Sequence, residues 1–462
     1  MLGLLLFIAA IIMDVTNEKR AVRQFAAEGP TSDQLSPAAA LYAMRRDPVA
    51  FFTKLAREHG DIVRFKLGDH AQDVYFLNHP DYIREVLITQ DRSFTKWFAV
   101  NRINEVLGQG LFVSEGDLHA AQRRLSQPAF HHARIASYAD QMASQAVRLR
   151  ERWQPGSVVD VCREMNGLAM MIVASTLFGT DVAADAEEVD IALSEILEQF
   201  ERSILPPADR KDFDSALARL DSVVYGMIKQ RRATGTDRGD LLSVFLLAED
   251  WHKDGTRMSD LHVRDEMMTL FLAGHETSAN AMAWSWYLLS QHPEVESKFH
   301  NELDQALDGR APRFDDVPKL VLTARIFAEA LRLYPPLWAI GRRATRDCQI
   351  GDVNIGAGSV VILSQYVTHR DPRWFPNPET FDPNRWTAEA RSARPRFSYF
   401  PFSAGSRSCL GEAFAGMEGV ICLATLAQKW RLKLVPGQTI ALQPQLTLRA
   451  RRGIKMRIEP RI

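Results

Sequence analysis

The chain has 462 residues, of which 46% are hydrophobic and 24% charged, and its formal net charge is −1 at pH 7. This balance excludes the concentrated basic excess that most nucleic-acid-binding proteins carry. The four cysteines are scattered with no Cys-x-x-Cys pair, which disfavours structural zinc or a disulfide framework and indicates a reducing, cytoplasmic compartment. No linker, repeat or charge block divides the chain, so we expect one large globular unit.

An apolar run from Leu2 to Met13 opens the chain. It is too short for a membrane-spanning helix, which needs about 20 apolar residues. It also lacks the basic leader and the small-residue cleavage site of a secretory signal. Three interpretations stay open: a weak interfacial membrane anchor, which ranks first, a frayed tail, or a misassigned start. We therefore expect residues 1–40 to form a short apolar segment and loop, and residues 41–462 to form the globular body.

The next part of the chain predicts helices that begin at proline and short strands of alternating hydrophobicity. In chain order these are a helix from Pro48 to His59, strands Ile62–Leu67 and Val74–Leu77, and a helix from Pro80 to about Thr89. From Arg92 to Val113 the pattern is irregular but apolar, which is typical of a long loop that covers a ligand. Helical patterns then dominate as far as Lys229.

The second half of the chain predicts long helices followed by short strands. The predicted helices run from about Ser259 to Gln291, from Thr323 to Leu333 and from Glu412 to Lys429, and the predicted strands are Gln349–Ile355 and Ser359–Leu363. The fold class that follows is α+β, mainly α with a minor, discontinuous β-sheet.

A glycine-bounded loop places Cys409 just before the last predicted helix. Backbone N–H groups near Gly411 and the charge of Arg407 would stabilise a thiolate, the form in which cysteine binds metals. The glycines allow a tight turn and a close approach to a flat ligand, which Phe402 would cover on one side. A buried structural cysteine is the ordinary alternative, but a single thiolate held in this way suits haem iron.

A run of small residues, an acid and an alcohol lies inside the long helix. The Thr277 hydroxyl can donate to the carbonyl four residues earlier, at Ala273, and loosen that turn. Ala273 and Gly274 would leave space for a diatomic ligand, and Glu276 would pass protons through Thr277 to bound oxygen. An ordinary amphipathic helix is the alternative, whereas a zinc-protease motif fails because Ala279 stands where its second histidine belongs.

Together these motifs resemble those of the cytochrome P450 family. The family's haem loop is matched at five positions: Phe402, Gly405, Arg407, Cys409 and Gly411. The resemblance extends from about Asp47 onward and implies the cytochrome P450-type fold, with a long oxygen-side helix. It implies haem b (iron protoporphyrin IX) beside Ala273, with Cys409 as the axial ligand of the iron. Thr277 and Glu276 are then the residues that deliver protons to oxygen.

The resemblance assigns further residues to roles around the haem. Glu329 and Arg332 form the only Glu-x-x-Arg pair in the chain, and with Arg385 they match a structural cluster that locks the segment leading into the haem loop. Alone, such a pair would be an ordinary surface ion pair. Four side chains match positions that bind the haem propionates: His119, Arg123, Arg342 and Arg407. The neighbouring Arg343 leaves the Arg342 assignment open by one position.

The family's usual substrate-contacting positions are mostly apolar in this chain. These predicted pocket residues are Trp97, Phe98, Phe112, Phe271, Leu337, Trp338, Ile340, Leu446 and Thr447. They predict a lipophilic substrate, such as a fatty acid or a terpenoid. Apolar residues are also the ordinary content of a protein core, which is the alternative for each of them.

The implied function is a haem-thiolate monooxygenase that inserts one oxygen atom from O2 into a C–H bond or double bond of the substrate. The sequence contains no flavin, nicotinamide or iron–sulfur motif. Electrons from NAD(P)H are therefore expected through separate proteins, either a ferredoxin with its reductase or a flavodoxin-type donor. Arg124, Arg394 and Arg396 are candidates for attracting an acidic donor, with a solubilising rim as the alternative.

Two alternative functions stay open. One is a peroxide-using or isomerising haem-thiolate enzyme, although such relatives tend to lose the acid–alcohol pair that Glu276 and Thr277 preserve. The other is a non-catalytic haem- or lipid-binding protein. By the family's default we expect a monomer, cytoplasmic apart from the weak membrane contact and without a nucleic-acid partner.

Overall fold

The computed structural model of the protein describes residues 36–68, 71–97, 103–179, 188–189, 191–193, 195–196, 210–249, 251, 255 and 257–461. The chain forms two compact units, each assembled from three stretches of sequence. The first unit is Met1–Ala99, Trp338–Pro378 and Arg394–Arg407, and the second is Val100–Leu337, Glu379–Ala393 and Ser408–Ile462. The assignment of residues 41–462 to a single haem domain stays a prediction, and the apolar run from Leu2 to Met13 lies outside the described residues.

Helices dominate the described residues. They are α1 (Pro37–Arg46), α2 (Pro48–His59), α3 (Pro80–Arg84), α4 (Ile103–Leu107), α5 (Gly116–Ser126), α6 (His132–Arg152), α7 (Val161–Leu177), α8 (Arg210–Thr234), α9 (Leu241–Leu247), α10 (Asp260–Gln291), α11 (Pro293–Leu307), α12 (Val321–Leu333), α13 (Gln365–Thr368), α14 (Ala388–Ser392) and α15 (Glu412–Ala427). The strands are β1 (Ile62–Leu67), β2 (Gln72–Leu77), β3 (Phe94–Trp97), β4 (Val158–Asp160), β5 (Ile340–Ala344), β6 (Cys348–Ile350), β7 (Val353–Ile355), β8 (Val360–Leu363), β9 (Trp430–Leu434), β10 (Leu442–Pro444), β11 (Leu448–Ala450) and β12 (Lys455–Pro460). The predicted fold class, mainly α with a minor discontinuous sheet, is confirmed.

The first unit is built around a five-stranded sheet of order β1-β2-β8-β5-β3. Neighbouring strands are antiparallel except β2 and β8, which are parallel. One face buries a cluster in which the rings of Phe52 and Phe76 lie 5.0 Å apart, centroid to centroid. Because β2 and β8 are far apart in the chain, the local pattern predicted the strands but not their order.

Local capping explains why several predicted helices are confirmed. Helix α2 begins where the Asp47 carboxylate accepts from the Ala50 N–H at 2.9 Å, and it ends before Gly60, whose φ is +84°. Helix α10 begins where the Ser259 hydroxyl accepts from the His262 N–H at 3.2 Å. Both caps involve residues at most four positions apart, so the sequence alone specifies them.

Two predicted segments are wrong in detail. The stretch predicted as an irregular loop contains strand β3 and helix α4, because β3 is stabilised by pairing with the distant strand β5. The single strand predicted over Gln349–Ile355 is a hairpin of β6 and β7. Its turn contains Gly351, which has a φ of +54° and whose Cα lies so close to Tyr82 that a Cβ would be 2.5 Å from the ring.

Helix α10 runs through the core of the second unit, and most of its side chains are buried. A smaller sheet of order β4-β12-β9 and the hairpin β10–β11 complete this unit. No helix among the described residues is both long enough and apolar enough to cross a membrane.

Candidate active site

In the first unit, the loop that leads to Cys409 turns sharply at Gly405. Gly405 has a φ of +73°, and a Cβ on it would lie 1.9 Å from the Leu87 carbonyl oxygen. Both the left-handed backbone and the close approach therefore require glycine here. Phe402 and Arg407, which flank this turn, are half-buried.

Cys409 lies three residues before helix α15 in the second unit. Its side chain has accessible surface, whereas that of Cys422 within the helix is buried. The surrounding protein nevertheless desolvates the thiol and raises its pKa to about 11, against the smaller lowering effects of the Gly411 N–H and the Arg123 charge. The isolated thiol is therefore neutral at pH 7, and coordination of a metal is what would make it a thiolate.

The charge of Arg123 lowers the pKa of the Cys409 thiol, whereas the same role for Arg407 stays a prediction. Arg123 lies on α5, and its Nη1 and Nη2 donate to the Ser408 carbonyl and hydroxyl oxygens at 2.7 and 3.0 Å. His119, one turn earlier on the same helix, is buried. The predicted i,i+4 spacing therefore places the two residues on one face of α5, and Arg123 holds the residue next to Cys409.

The two other predicted propionate partners, Arg342 and Arg407, belong to the first unit. Arg342 on β5 is 7% exposed and donates to the Gly341 carbonyl at 3.0 Å, whereas its neighbour Arg343 is exposed. The alternation along the strand therefore favours Arg342 over Arg343 for a buried role. A propionate contact for either residue stays a prediction.

One turn of α10 is accessible in a helix that is otherwise mostly buried. Ala273 is exposed and Thr277 is half-buried, while His275 and Glu276 are buried. The Thr277 hydroxyl donates to the Ala273 carbonyl at 2.7 Å, which confirms the predicted bond within the helix. Its hydroxyl oxygen can still accept a hydrogen bond from a ligand or water.

Gly274 has a different role from the one that we predicted. A Cβ at this position would lie 2.9 Å from Val173 Cγ2 on α7. The absent side chain therefore permits the two helices to pack closely. Space for a small ligand beside Ala273 stays a prediction.

Glu276 is turned toward the hairpin β10–β11. Its Oε1 atom accepts hydrogen bonds from Arg449 Nε and Thr447 Oγ1. Burial alone would raise the pKa of this carboxyl, but the Arg449 charge and both hydrogen bonds outweigh burial and lower it. The residue predicted as a proton donor is thus an ionised, buried carboxylate whose position is fixed by a distant part of the chain.

The predicted pocket residues occupy several different environments. Phe98 lies outside the described residues. The half-buried ones, which keep surface for a ligand, are Trp97, Phe112, Leu337, Trp338, Ile340 and Leu446. The structure corrects two assignments. Phe271 is fully buried, with its ring centroid 4.6 Å from that of Phe178, the residue that follows α7. Thr447 is only 4% exposed, and its hydroxyl donates to Glu276.

The Glu329 cluster is assembled in the second unit. Arg332 binds Glu329 in a two-point ion pair with both contacts at 2.8 Å, and neither side chain is exposed. Arg385 Nε lies 3.4 Å from Glu329 Oε1. The Trp386 indole N–H and the Asp382 backbone N–H also donate to this carboxylate, at 2.9 and 3.0 Å.

Sequence reasoning missed Trp386 in this cluster and Arg449 beside Glu276. Trp386 directly follows Arg385, so the sequence places it near the cluster, but the sequence does not indicate that its indole N–H points at Glu329. Arg449 lies two residues after Thr447, the spacing that places strand side chains on one face. The contact itself joins residues 173 positions apart, and no local pattern indicates it.

The residues present fit a haem, the cofactor that the resemblance implies. Cys409 is an accessible soft donor with a backbone N–H directed at its sulfur, and Ala273 and Thr277 form an accessible, uncharged turn of α10. Among the described residues, no group of three or more His, Cys, Asp or Glu side chains is arranged to hold a metal ion.

Comparisons with known proteins give consistent results. The sequence model of the family described as "Cytochrome P450" matches residues 38–457. "Cyclooctatin synthase" of Streptomyces melanosporofaciens is 40% identical over 429 residues, which cover 90% of this chain and 92% of that protein. "Cyclooctat-9-en-7-ol 5-monooxygenase" of the same organism is 37% identical over 409 residues, covering 86% and 88%. Among solved structures, the haem domain of cytochrome P450DA matches with a TM-score of 0.82 at 28% identity, covering 90% of this chain and 93% of that one.

Proposed function

This chain belongs to the cytochrome P450 family, and we propose from that premise that it hydroxylates or epoxidises a cyclic terpenoid, with Cys409 as the residue that would bind haem iron. The family and the named relatives make it an oxidoreductase that incorporates oxygen, and haem is the family's cofactor. The observation that carries the assignment of Cys409 is its exposed position just before α15, with the Gly411 N–H directed at its sulfur and Arg123 holding the adjacent Ser408.

Each residue of the site has a role that its contacts support. A haem bound there would supply oxygen activation with electrons that come from NAD(P)H through partner proteins. The Gly411 N–H donates to the Cys409 sulfur and thereby tunes the basicity of the ligand. Arg123 keeps the loop in place and, with His119, supplies donors for propionates. Thr277 accepts a hydrogen bond from water and passes its own proton on, and the Glu276 carboxylate takes up a proton from water and returns it to Thr277.

The substrate class is inferred from two observations. The name of one relative specifies cyclooctat-9-en-7-ol, an unsaturated alcohol, as the compound on which that relative acts, and relatives of this kind oxidise terpenoids. In this chain, the half-buried pocket candidates of the second unit are all apolar: Phe112, Leu337 and Leu446. Apolar side chains of this kind suit a rigid hydrocarbon with one hydroxyl. We therefore place cyclic terpene alcohols ahead of fatty acids.

Ligand-induced spin-state change in the haem-loaded protein tests the substrate class. Cyclic terpene alcohols should shift the Soret band at micromolar concentrations, whereas linear fatty acids of similar carbon number should require higher concentrations. The reverse order of affinities would contradict the terpenoid assignment while leaving the family assignment intact.

A carbon monoxide difference spectrum of the reduced protein tests the iron ligand. The wild type should give the red-shifted Soret band of thiolate ligation, and Cys409→Ala should lose that band. Cys348→Ala is the matched control, because this half-buried thiol lies on β6 in the first unit and should leave the spectrum unchanged. A thiolate band that persists in Cys409→Ala would exclude Cys409 as the ligand.

The proton relay is tested by the coupling of electron use to product formation. Thr277→Ala removes the hydroxyl, so NADPH consumption should continue while product per NADPH falls by about 10-fold or more. Thr277→Ser keeps a hydroxyl and should recover most of the coupling. Normal coupling in Thr277→Ala would contradict the relay.

A further inference from the structure

The two oxygen atoms of the buried Glu276 carboxylate have different surroundings. Oε1 accepts from both Arg449 and Thr447, whereas Oε2 is buried and has no hydrogen-bond partner among the described residues. A buried carboxylate oxygen without a donor is costly unless a water molecule or a transferred proton satisfies it. One side of the carboxylate is therefore clamped, and the other remains available for proton transfer.

The two side chains that clamp Glu276, Arg449 and Thr447, belong to the β10–β11 hairpin, which is itself hydrogen-bonded to α10. The Trp284 indole N–H donates to the Leu448 carbonyl at 3.3 Å, and the Asn280 amide donates to the Thr447 hydroxyl at 3.3 Å. Strands β10 and β11 are paired from Leu442 with Ala450 to Pro444 with Leu448. The position of the hairpin thus determines the position of the two groups that bind Glu276.

The same hairpin carries a predicted substrate contact. Leu446 lies in the turn between β10 and β11, is half-buried, and precedes Thr447 directly. A ligand that displaces Leu446 would shift Thr447, which donates to Glu276, and the shift would extend to Arg449 through the paired strand. The turn therefore links a candidate substrate contact, Leu446, to Glu276 through the adjacent Thr447, whose hydroxyl donates to the carboxylate.

We propose that Arg449 is a positioning residue: it holds Glu276 by Oε1, keeps Oε2 free for water-mediated proton delivery, and makes that delivery responsive to substrate at the β10–β11 turn. This inference rests on the proposed function of Glu276 and Thr277 as a relay. Arg449 touches neither substrate nor haem in this proposal and acts only through Glu276. Among the described residues, the charged groups that lower the pKa of the Glu276 carboxyl are Arg449 and, more weakly, the neighbouring His275.

Four variants of the haem-loaded protein test the clamp. Arg449→Gln removes the cation, Thr447→Val removes one hydrogen bond at nearly constant volume, and the double variant Glu276→Gln/Arg449→Gln removes the carboxylate as well. Arg452→Gln is the control, because Arg452 is exposed and lies just beyond the hairpin. Each variant is measured for unfolding by denaturant and for product per NADPH, from pH 5 to 9, with the substrate-induced spin shift as a check of binding.

Loss of Arg449 should raise the pKa of the Glu276 carboxyl, because burial would then outweigh the remaining hydrogen bond from Thr447. Coupling in Arg449→Gln should therefore acquire a pH dependence displaced toward higher pH. Its stability should fall with rising pH, because the folded state then holds a proton more tightly than the unfolded state does. Thr447→Val should show the same changes at smaller size. The double variant should lose the pH-dependent part of the stability change, and Arg452→Gln should match the wild type.

The clamp is overturned if Arg449→Gln has the wild-type pH dependence of both stability and coupling, or if Glu276→Gln/Arg449→Gln retains the changes of the single variant. A failed relay gives a different result. Normal coupling in Thr277→Ala contradicts the relay. In that case the clamp is tested by stability alone, from the difference in pH dependence of unfolding between Arg449→Gln and Glu276→Gln/Arg449→Gln. If Arg449→Gln does not fold, Thr447→Val supplies the same comparison with Glu276→Gln/Thr447→Val.

Discussion

At the scale of single residues, buried carboxyl groups of this chain differ in charge according to whether a cation reaches them. Glu276 has Arg449 beside it, and the pKa of its carboxyl is lowered despite complete burial. Glu418 on α15 is also fully buried, but neither of its oxygens has a hydrogen-bond partner among the described residues. Burial raises the pKa of Glu418 to about 8, and the opposing effect of the Ser278 hydroxyl is smaller than that of burial. Glu418 is therefore mostly a neutral acid at pH 7.

Glu418→Gln should make the protein less sensitive to alkaline pH. The pKa of Glu418 is higher in the folded than in the unfolded state, so its contribution to stability is fully present below about pH 4.5 and is lost as pH rises through 8. One pKa unit corresponds to about 1.4 kcal/mol. The free energy of unfolding should thus fall by several kcal/mol from pH 5 to pH 8 in the wild type relative to Glu418→Gln.

Denaturant unfolding of the haem-loaded protein at the two pH values measures this difference. Glu294→Gln, at an exposed position of α11, is the control and should follow the wild type. Parallel pH profiles for Glu418→Gln and the wild type would show that Glu418 keeps an ordinary pKa.

At the scale of elements, the helices of the second unit pack closely where glycine replaces a larger residue. Gly274 lets α10 approach Val173 on α7, and a Cβ on Gly419 of α15 would lie 2.4 Å from the Phe327 ring on α12. Glycine normally weakens a helix by about 0.5–1 kcal/mol relative to alanine. Its presence at these two contacts indicates that close packing outweighs the loss of helix propensity.

Gly274→Ala should destabilise the protein by about 1–3 kcal/mol, because the new methyl group would overlap Val173. The second substitution Val173→Ala should restore much of the loss. Gly167→Ala on α7, where a Cβ would meet nothing within 4 Å, is the control and should be neutral or stabilising. Denaturant unfolding of the wild type, Gly274→Ala, Val173→Ala and the variant with both substitutions forms a double-mutant cycle. Additive effects of the two substitutions would contradict direct contact between these positions.

At the scale of the whole molecule, the net charge of −1 gives no overall attraction to an acidic electron donor. Recognition by charge must therefore depend on local groups. Arg124 on α5 is exposed, although it also donates to the Trp251 carbonyl at 3.2 Å. Arg396 is exposed, whereas Arg394 is half-buried, with its guanidinium 4.8 Å from the centre of the Phe375 ring. Arg124 and Arg396 are thus the better candidates among the three arginines.

Reduction by an acidic ferredoxin or flavodoxin should slow as ionic strength increases if these arginines attract the donor. Arg124→Glu and Arg396→Glu, each tested alone, should lower the association rate at low salt several-fold and flatten its salt dependence. Stopped-flow reduction from low to physiological ionic strength measures both effects. A wild-type rate that does not depend on salt would leave these arginines only a solubilising role.

The sequence by itself determined the fold class, the family and most helix boundaries, because these depend on residues a few positions apart. The Asp47 cap, the bond from Thr277 to Ala273 and the spacing of Glu329 and Arg332 are all of this kind. Only the tertiary structure decided the order of the sheet, the packing role of Gly274 and the charge states of Glu276 and Cys409. Each of these depends on groups that approach from far along the chain, such as Arg449 and Arg123, and on the water that the fold excludes. Burial and distant charge set the chemistry of a side chain, and neither is encoded in its immediate neighbours.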